Sequence, residues 1–320
     1  MSQIEYFDLE PSKSDFLSDV VDGLEQKQKS IPPKYFYNEE GSKIFDDICD
    51  LDEYYPTRTE CKILDRFAED IDAALPDSCM ILEYGSGSSD KIRKILSQSK
   101  KIKTYMPLDI SKEHLKHSAE KIAESYPQIT VKAVCADYTD SKLKSFDPGC
   151  DDTRVVFFPG STIGNLLTKE RETLLRNTKD FLGDGGLFIV GIDLIKERQT
   201  LIDAYDDKKG VTSAFNLNLL KRINQELDAN FKLDQFKHEA RFNEEKKRIE
   251  MHLVSQSNQK VFVGRNSFSF RQGESIHTEN SHKFMVQDFL AQASHLGFGN
   301  EKVFTDDQEN FAVVLMTAVS

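Results

Sequence analysis

Residues 80–87 read M-I-L-E-Y-G-S-G, an apolar run that ends in an acidic residue and two glycines spaced G-x-G. Asp109 follows 24 residues after Gly85 and closes a second strand-like run, residues 104–110. A strand that delivers glycines to the start of a helix lets backbone N–H groups approach an extended ligand with no Cβ in the way. An acidic residue at the end of the next strand is placed to accept hydrogen bonds from two ribose hydroxyls. The chemistry implied is binding of an adenosine cofactor. A dinucleotide fingerprint, G-x-G-x-x-G, needs a third glycine where this chain has Asp90.

The elements that must position these residues run from about residue 78 to 194 as alternating strand and helix patterns. Strand runs fall at 79–84, 104–110, 130–135, 155–158 and 187–192, with helical patterns at 90–97, 112–125 and 169–182 between them. The G-D-G-G at 183–186 stops the last of these helices. Such alternation predicts a parallel, doubly wound α/β sheet, whose ligands lie beyond the carboxyl ends of the strands. Gly85, Asp109, Asp137, Gly160 and Asp193 all fall at such ends.

Two stretches break the alternation. The first 70 residues are polar and mostly helical, interrupted by I-P-P at 31–33. Residues 195–283 begin helical and then change to period-two runs such as R-I-E-M-H-L-V at 248–254. The α/β pattern returns with a helix at 283–296 and strand runs at 301–304 and 311–316. The expected division is therefore an α/β domain of residues 61–194 and 284–320, and a second, substrate-side domain of residues 1–60 and 195–283.

A net charge of −12 argues against a nucleic-acid partner, which is normally met by a basic face. The lysines between 91 and 103 flank Ile92, Ile95 and Leu96 at helical spacing and read as a solvated helix face. No apolar run approaches the roughly 18 residues that span a bilayer. The N-terminus has no signal-peptide pattern, and the five scattered cysteines include no C-x-x-C. A cytoplasmic protein, expected to be monomeric, with reduced thiols and a small-molecule substrate fits these features, with no membrane or nucleic-acid partner. His114 and His117 sit on a Lys/Glu-rich helix without a third ligand at metal spacing, and Asp206 with Asp207 resembles an acidic metal pair only superficially. No metal is expected.

With Glu83 two residues before Gly85, E-x-G-x-G resembles motif I of class I S-adenosylmethionine methyltransferases. Further blocks are longer and more distinctive: P-P-K-Y-F-Y at 32–37, E-Y-Y-P-T-R-T-E at 53–60, F-P-G-S-T-I-G-N-L at 158–166, A-Y-D-D at 204–207, R-I-E-M at 248–251 and T-E-N-S-H-K-F at 278–284. In this order they resemble the histidine-specific, S-adenosylmethionine-dependent methyltransferases of ergothioneine biosynthesis, from about residue 30 to the C-terminus. That resemblance implies a class I (Rossmann-like) α/β fold, a doubly wound, mostly parallel sheet with an antiparallel C-terminal strand, plus a second α+β substrate-side domain. The implied activity is threefold Nα-methylation of L-histidine to hercynine. An N-methyltransferase for another amino acid or a tryptophan-like derivative is the alternative, and a non-enzymatic S-adenosylmethionine-binding regulator is a third reading.

The resemblance also implies roles for particular residues. Tyr37, Glu279 and Ser281 would hold the imidazole, whose two ring nitrogens are complemented by an acceptor carboxylate and hydroxyls. Asn165 and Tyr205 would bind the substrate carboxylate, and Tyr54 and Met251 would line the pocket near the amine and ring. Tyr37 and Tyr54 are the expected catalytic residues. On the cofactor side, Glu83, Gly85, Gly87 and Lys91 match motif I, Asp109 binds ribose, Asp137 and Tyr138 flank the adenine, and Gly160 and Thr162 complete the set. From the residues alone, Asn165 could equally cap the helix that follows it, and Met251 could be ordinary core. T-E-N-S places a carboxylate and a hydroxyl two apart, on one face of an extended segment.

Overall fold

The computed structural model describes residues 4–9, 13–139, 149 and 151–320. Cys150 therefore lies outside the described residues. In chain order the strands are β1 (Ile4–Asp8), β2 (Lys29–Ser30), β3 (Cys79–Tyr84), β4 (Ile102–Asp109), β5 (Thr130–Cys135), β6 (Thr153–Phe158), β7 (Leu187–Asp193), β8 (Phe236–Asn243), β9 (Arg248–Ser255), β10 (Gln259–Val263), β11 (Asn266–Phe270), β12 (Ser275–His282), β13 (Phe298–Thr305) and β14 (Phe311–Ala318). The chain forms two compact units, one of residues 1–10, 56–195 and 283–320, the other of residues 11–55 and 196–282.

The first unit is built on an eight-stranded sheet of order β1-β5-β4-β3-β6-β7-β14-β13. All pairings from β1 to β7 are parallel, and β14 runs antiparallel to both β7 and β13. Strands such as β3 and β7 are buried along their whole length, as strands covered on both faces must be. The helix Lys112–Ser125 turns Leu115, Ala119, Ile122 and Ala123 onto the sheet at three- and four-residue spacing. The helix Thr168–Leu182 begins where the Leu167 N–H donates to Glu170 Oε2 at 2.7 Å, and it ends at Gly183, whose φ is +67°. Strand order reverses at β3, between β4 and β6, so the loops after β3 and β6 open side by side at a topological switch point.

The N-terminal segment corrects one expected boundary. Residues 4–8 are not part of a helical substrate-side domain but an edge strand, paired in parallel from Ile4 opposite Val131 to Asp8 opposite Cys135. The run I-E-Y-F-D gives little periodic signal because only part of an edge strand is covered.

The second unit is α+β. Its four-stranded sheet has the order β2-β12-β9-β8 and is antiparallel except for the short β2 pairing, and β10 and β11 form a separate hairpin. The helix Val211–Glu226 supplies Phe215, Leu219, Leu220 and Ile223 to a core shared with Ile249, Met251, Leu253 and Ile276 of the sheet. Among the described residues, no helix is long and apolar enough to cross a membrane.

Candidate active site

In the first unit, β3 leads into a loop and then the helix Asp90–Leu96. Gly85 and Gly87 have φ of +67° and +48°, and no atom lies within 4 Å of a Cβ placed on Gly85. Ser89 also takes a left-handed conformation, at φ 63°, which costs a non-glycine residue energy and is characteristic of functional turns. The hydroxyl of Ser86 is buried without a hydrogen-bond partner among the described residues, and that of Ser89 is buried beside the Tyr105 hydroxyl. Open space at a left-handed glycine beside an unmatched hydroxyl fits an extended polar ligand such as S-adenosylmethionine.

Asp109, at the end of β4, does more than its sequence position suggested. Its Oδ2 accepts from the Gly87 N–H at 3.0 Å and its Oδ1 from the Ser111 N–H at 2.9 Å. One carboxylate thus ties the glycine loop to the start of the next helix. Burial raises its pKa, against the lowering effect of those backbone donors. Each carboxylate oxygen has a second lone pair, so both retain capacity toward hydroxyl donors. Glu83 is 1% exposed and accepts a hydrogen bond from the Tyr105 hydroxyl. Desolvation pushes its pKa up to about 8, so it carries its proton at neutral pH.

Gly160 and Ser161, after β6, are both left-handed, with φ of +79° and 56°. The Ser161 hydroxyl accepts from the Asp193 N–H at 2.9 Å, and the Thr162 hydroxyl donates to the Pro159 carbonyl at 3.0 Å. Thr162–Asn165 then forms one 3-10 turn, so Asn165 ends a turn and does not cap the helix Thr168–Leu182. Glu60, to which sequence reasoning gave no role, organises this region. It is fully buried, its Oε2 lies 2.8 Å from Lys91 Nζ, and the same oxygen accepts from the Gly160 N–H at 2.8 Å. A Cβ on Gly191 would lie 2.1 Å from Glu60 Oε1, so the glycine in β7 makes room for this carboxylate. Beyond β5, the Asp137 Oδ1 accepts from the Thr139 N–H at 2.8 Å. Tyr138 packs edge-on against Phe158 at 5.2 Å and lies 6.0 Å from Tyr84, forming an aromatic group at the strand ends.

The second unit brings together most of the expected substrate residues. The β12–β9 register sets Glu279 opposite Met251 and Ser281 opposite Ile249, so the carboxylate and the hydroxyl share one face. The Tyr205 hydroxyl donates to Ser281 Oγ at 2.7 Å, in a buried contact. The Tyr54 ring stands edge-on to Tyr205 at 6.0 Å and to Phe45 at 6.3 Å, and Tyr37 meets Phe45 and Phe215 at 5.7 and 5.8 Å. Burial, followed by Tyr205, Cys49, Glu279 and Tyr37, raises the Tyr54 pKa well above that of an ordinary phenol. Tyr54 is therefore a neutral hydroxyl and not a phenolate. Phe45 and Phe215 join these rings in one aromatic cluster of the second unit's core.

A buried polar network fixes this group from behind. His238 Nε2 donates to the Tyr205 carbonyl at 2.7 Å, which leaves Nδ1 to accept from Asn216 Nδ2 at 2.8 Å. Asn216 Nδ2 also donates to the His252 carbonyl at 3.2 Å, and Asn216 Oδ1 accepts from the Thr278 hydroxyl at 2.8 Å. The amide thus links the Tyr205 segment to β9 and β12, and burial lowers the His238 pKa so that the ring stays neutral. Asp207 is accounted for as a helix cap, its carboxylate accepting from the Val211 and Thr212 N–H groups at 3.1 and 2.8 Å. Of the expected substrate residues, Asn165 alone belongs to the first unit.

Comparison with known proteins gives these groups a context. Residues 16–318 match the family described as "Histidine-specific methyltransferase, SAM-dependent". The chain is 40% identical over 303 residues to a histidine N-alpha-methyltransferase of Mycolicibacterium smegmatis, and 38% identical over 303 residues to one of Mycobacterium tuberculosis. Each alignment covers 93% of both chains. It is also 31% identical over 202 residues to ergothioneine biosynthesis protein 1 of Neurospora crassa, covering 62% of this chain and 23% of that protein.

Proposed function

Because the chain belongs to the histidine-specific, S-adenosylmethionine-dependent methyltransferases, we propose that it methylates the α-amine of L-histidine three times, giving hercynine, as the first step of ergothioneine biosynthesis. The observation that carries this reading is the shared face of Glu279 and Ser281, with Met251 opposite Glu279 and Tyr205 hydrogen-bonded to Ser281. A carboxylate acceptor and a hydroxyl suit an imidazole, which presents at least one N–H donor and a second ring nitrogen. An indole has a single donor and gains little from both.

S-Adenosylmethionine supplies an electrophilic methyl group on a positively charged sulfonium. In this reading the first unit holds it with the Gly85–Gly87 backbone, the Asp109 carboxylate on the ribose and the Asp137–Tyr138 pair beside the adenine. Lys91, Gly160 and Thr162 complete the set, kept in place through Glu60. The second unit holds the acceptor. Glu279, Ser281 and Tyr37 fix the ring, and Tyr205, its hydroxyl released from Ser281, serves the carboxylate. Every proposed contact to the substrate's amine is uncharged, which avoids a cation beside the sulfonium. Tyr54, held neutral by burial, orients the amine by hydrogen bonding and does not act as a strong base. None is required, since roughly a few per cent of an α-amine is already neutral at pH 7. Fixing ring and carboxylate while leaving the amine to aromatic hydroxyls permits three rounds on one scaffold.

A radiolabelled methyl-transfer assay across L-histidine, L-tryptophan, other amino acids and histamine tests the proposal. Histidine is expected to be the best acceptor, with histamine very poor because it lacks the carboxylate. Faster transfer to tryptophan, or equal transfer to histamine, overturns the assignment.

A further inference from the structure

The face of the β9–β12 pair opposite to Met251 and Glu279 carries a second group of chemistry-bearing residues. The register sets His277 against His252 and Asn280 against Glu250. A bulge between His277 and Glu279 lets His277 and Asn280, three apart in sequence, share that face. Glu250, His252 and His277 each present one ligand-type atom within 4.8 Å of the other two.

The remaining heteroatoms of these side chains are tied elsewhere. His252 Nδ1 lies 3.2 Å from Ser275 Oγ, and His277 Nε2 donates to the Glu279 carbonyl at 3.0 Å. Glu250 Oε1 accepts from Arg248 Nε at 2.7 Å and from Asn243 Nδ2 at 3.1 Å. That leaves His252 Nε2 and Glu250 Oε2 facing each other, with the His277 ring stacked beside His252 at 5.0 Å between centroids. His252 is 4% exposed, and its Nε2 has no hydrogen-bond partner among the described residues. This nitrogen stands 3.5 Å from Glu250 Oε2, close to the spacing of two ligands on a tetrahedral ion with bonds of about 2.0–2.2 Å. The Asn280 side chain lies on the same face and interacts with His277. The two nearby guanidinium groups are each engaged by a carboxylate, Arg248 by Glu250 Oε1 and Arg241 by Glu239 at 2.8 Å.

We propose that Glu250, His252 and His277 bind one divalent transition-metal ion of the zinc class, clamping β9 to β12 beside the bulge. Two imidazoles and a carboxylate form a borderline-soft donor set suited to such an ion. The three anchored outer atoms supply the orienting hydrogen bonds that such ligands characteristically carry. An unmatched buried imidazole nitrogen is costly in a strand pair that forms only for packing; coordination gives it a partner. The role is structural, since the ion would sit on the face away from Glu279, and the inference stands independently of the substrate.

The test uses the full chain, stripped with a chelator and titrated with Zn²⁺, and with Co²⁺ as a spectroscopic substitute. One equivalent should bind, giving a Co²⁺ visible spectrum of tetrahedral type and a Zn²⁺-dependent rise in melting temperature that chelator reverses. His252→Ala and the near-isosteric Glu250→Gln should both abolish the stoichiometric site, whereas His114→Ala/His117→Ala should keep it. Far-UV circular dichroism establishes that each variant is folded. No bound equivalent in the parent chain overturns the proposal. So does an equivalent that survives in folded Glu250→Gln and His252→Ala.

Discussion

Asp109→Ala should weaken cofactor binding by at least tenfold. The carboxylate is assigned two ribose hydroxyls, each charge-assisted hydrogen bond contributing roughly 1.5–3 kcal/mol. Their sum, about 3–6 kcal/mol, corresponds to roughly a hundredfold to more than ten-thousandfold in affinity at about 1.4 kcal/mol per tenfold. Water that enters the truncated site recovers part of this, which sets the lower bound. The structure adds a second effect, because the same side chain holds the Gly87 and Ser111 N–H groups, and alanine releases the glycine loop as well. The two effects separate in a thermodynamic cycle. Calorimetry would compare S-adenosylhomocysteine with its 2′,3′-dideoxy analogue on the parent chain and on Asp109→Ala. The parent should prefer the hydroxylated ligand strongly, and the variant should distinguish the two poorly. Unchanged affinity in Asp109→Ala refutes the assignment. An equal preference for the hydroxylated ligand in both proteins would show that Asp109 only tethers the loop.

Glu279→Ala leaves an imidazole donor unmatched and should lower kcat/KM for histidine by roughly 2–4 kcal/mol in transition-state terms, while narrowing its preference over tryptophan; an unchanged ratio of the two specificity constants counts against ring reading by this carboxylate. Glu83 keeps its proton to about pH 8 in the folded chain against an ordinary 4.5, so the folded state binds more protons and stability should fall as pH rises between those values. Glu83→Gln, which stays neutral, should flatten that part of the melting-temperature profile, and an identical slope in both proteins refutes the proposed origin. Gly191→Ala drives a Cβ to 2.1 Å from Glu60 Oε1. It should cost about 1–3 kcal/mol, read as a fall of about 2–4 °C in melting temperature per kcal/mol, and it should weaken cofactor binding through Lys91 and Gly160; an unchanged melt excludes the clash.

Local pattern was enough for much of this protein. The alternation of apolar runs and helical periods in residues 78–194 is a short-range property, and the parallel sheet follows it closely, with β3, β5 and β7 where the runs predicted them. Gly85, Gly160 and Asp109 were legible because a turn needing positive φ, and an acid at a strand end, are written within a few residues. The Glu279–Ser281 face was legible for the same reason, as period two places them together in any extended segment. Tertiary structure decided what depends on partners far away in sequence. No local rule shows that residues 4–8 join β5 as an edge strand, or that Glu60 reaches both Lys91 and Gly160 through space left by Gly191. Nor does sequence spacing reveal that Tyr205 meets Ser281, 76 residues on. The bulge in β12 is the sharpest case. By period two alone, His277 would share a face with Glu279; one extra residue in the ladder turns it to the opposite face, against Glu250 and His252. Strand register is set by long-range pairing and burial, and that is information no single segment holds.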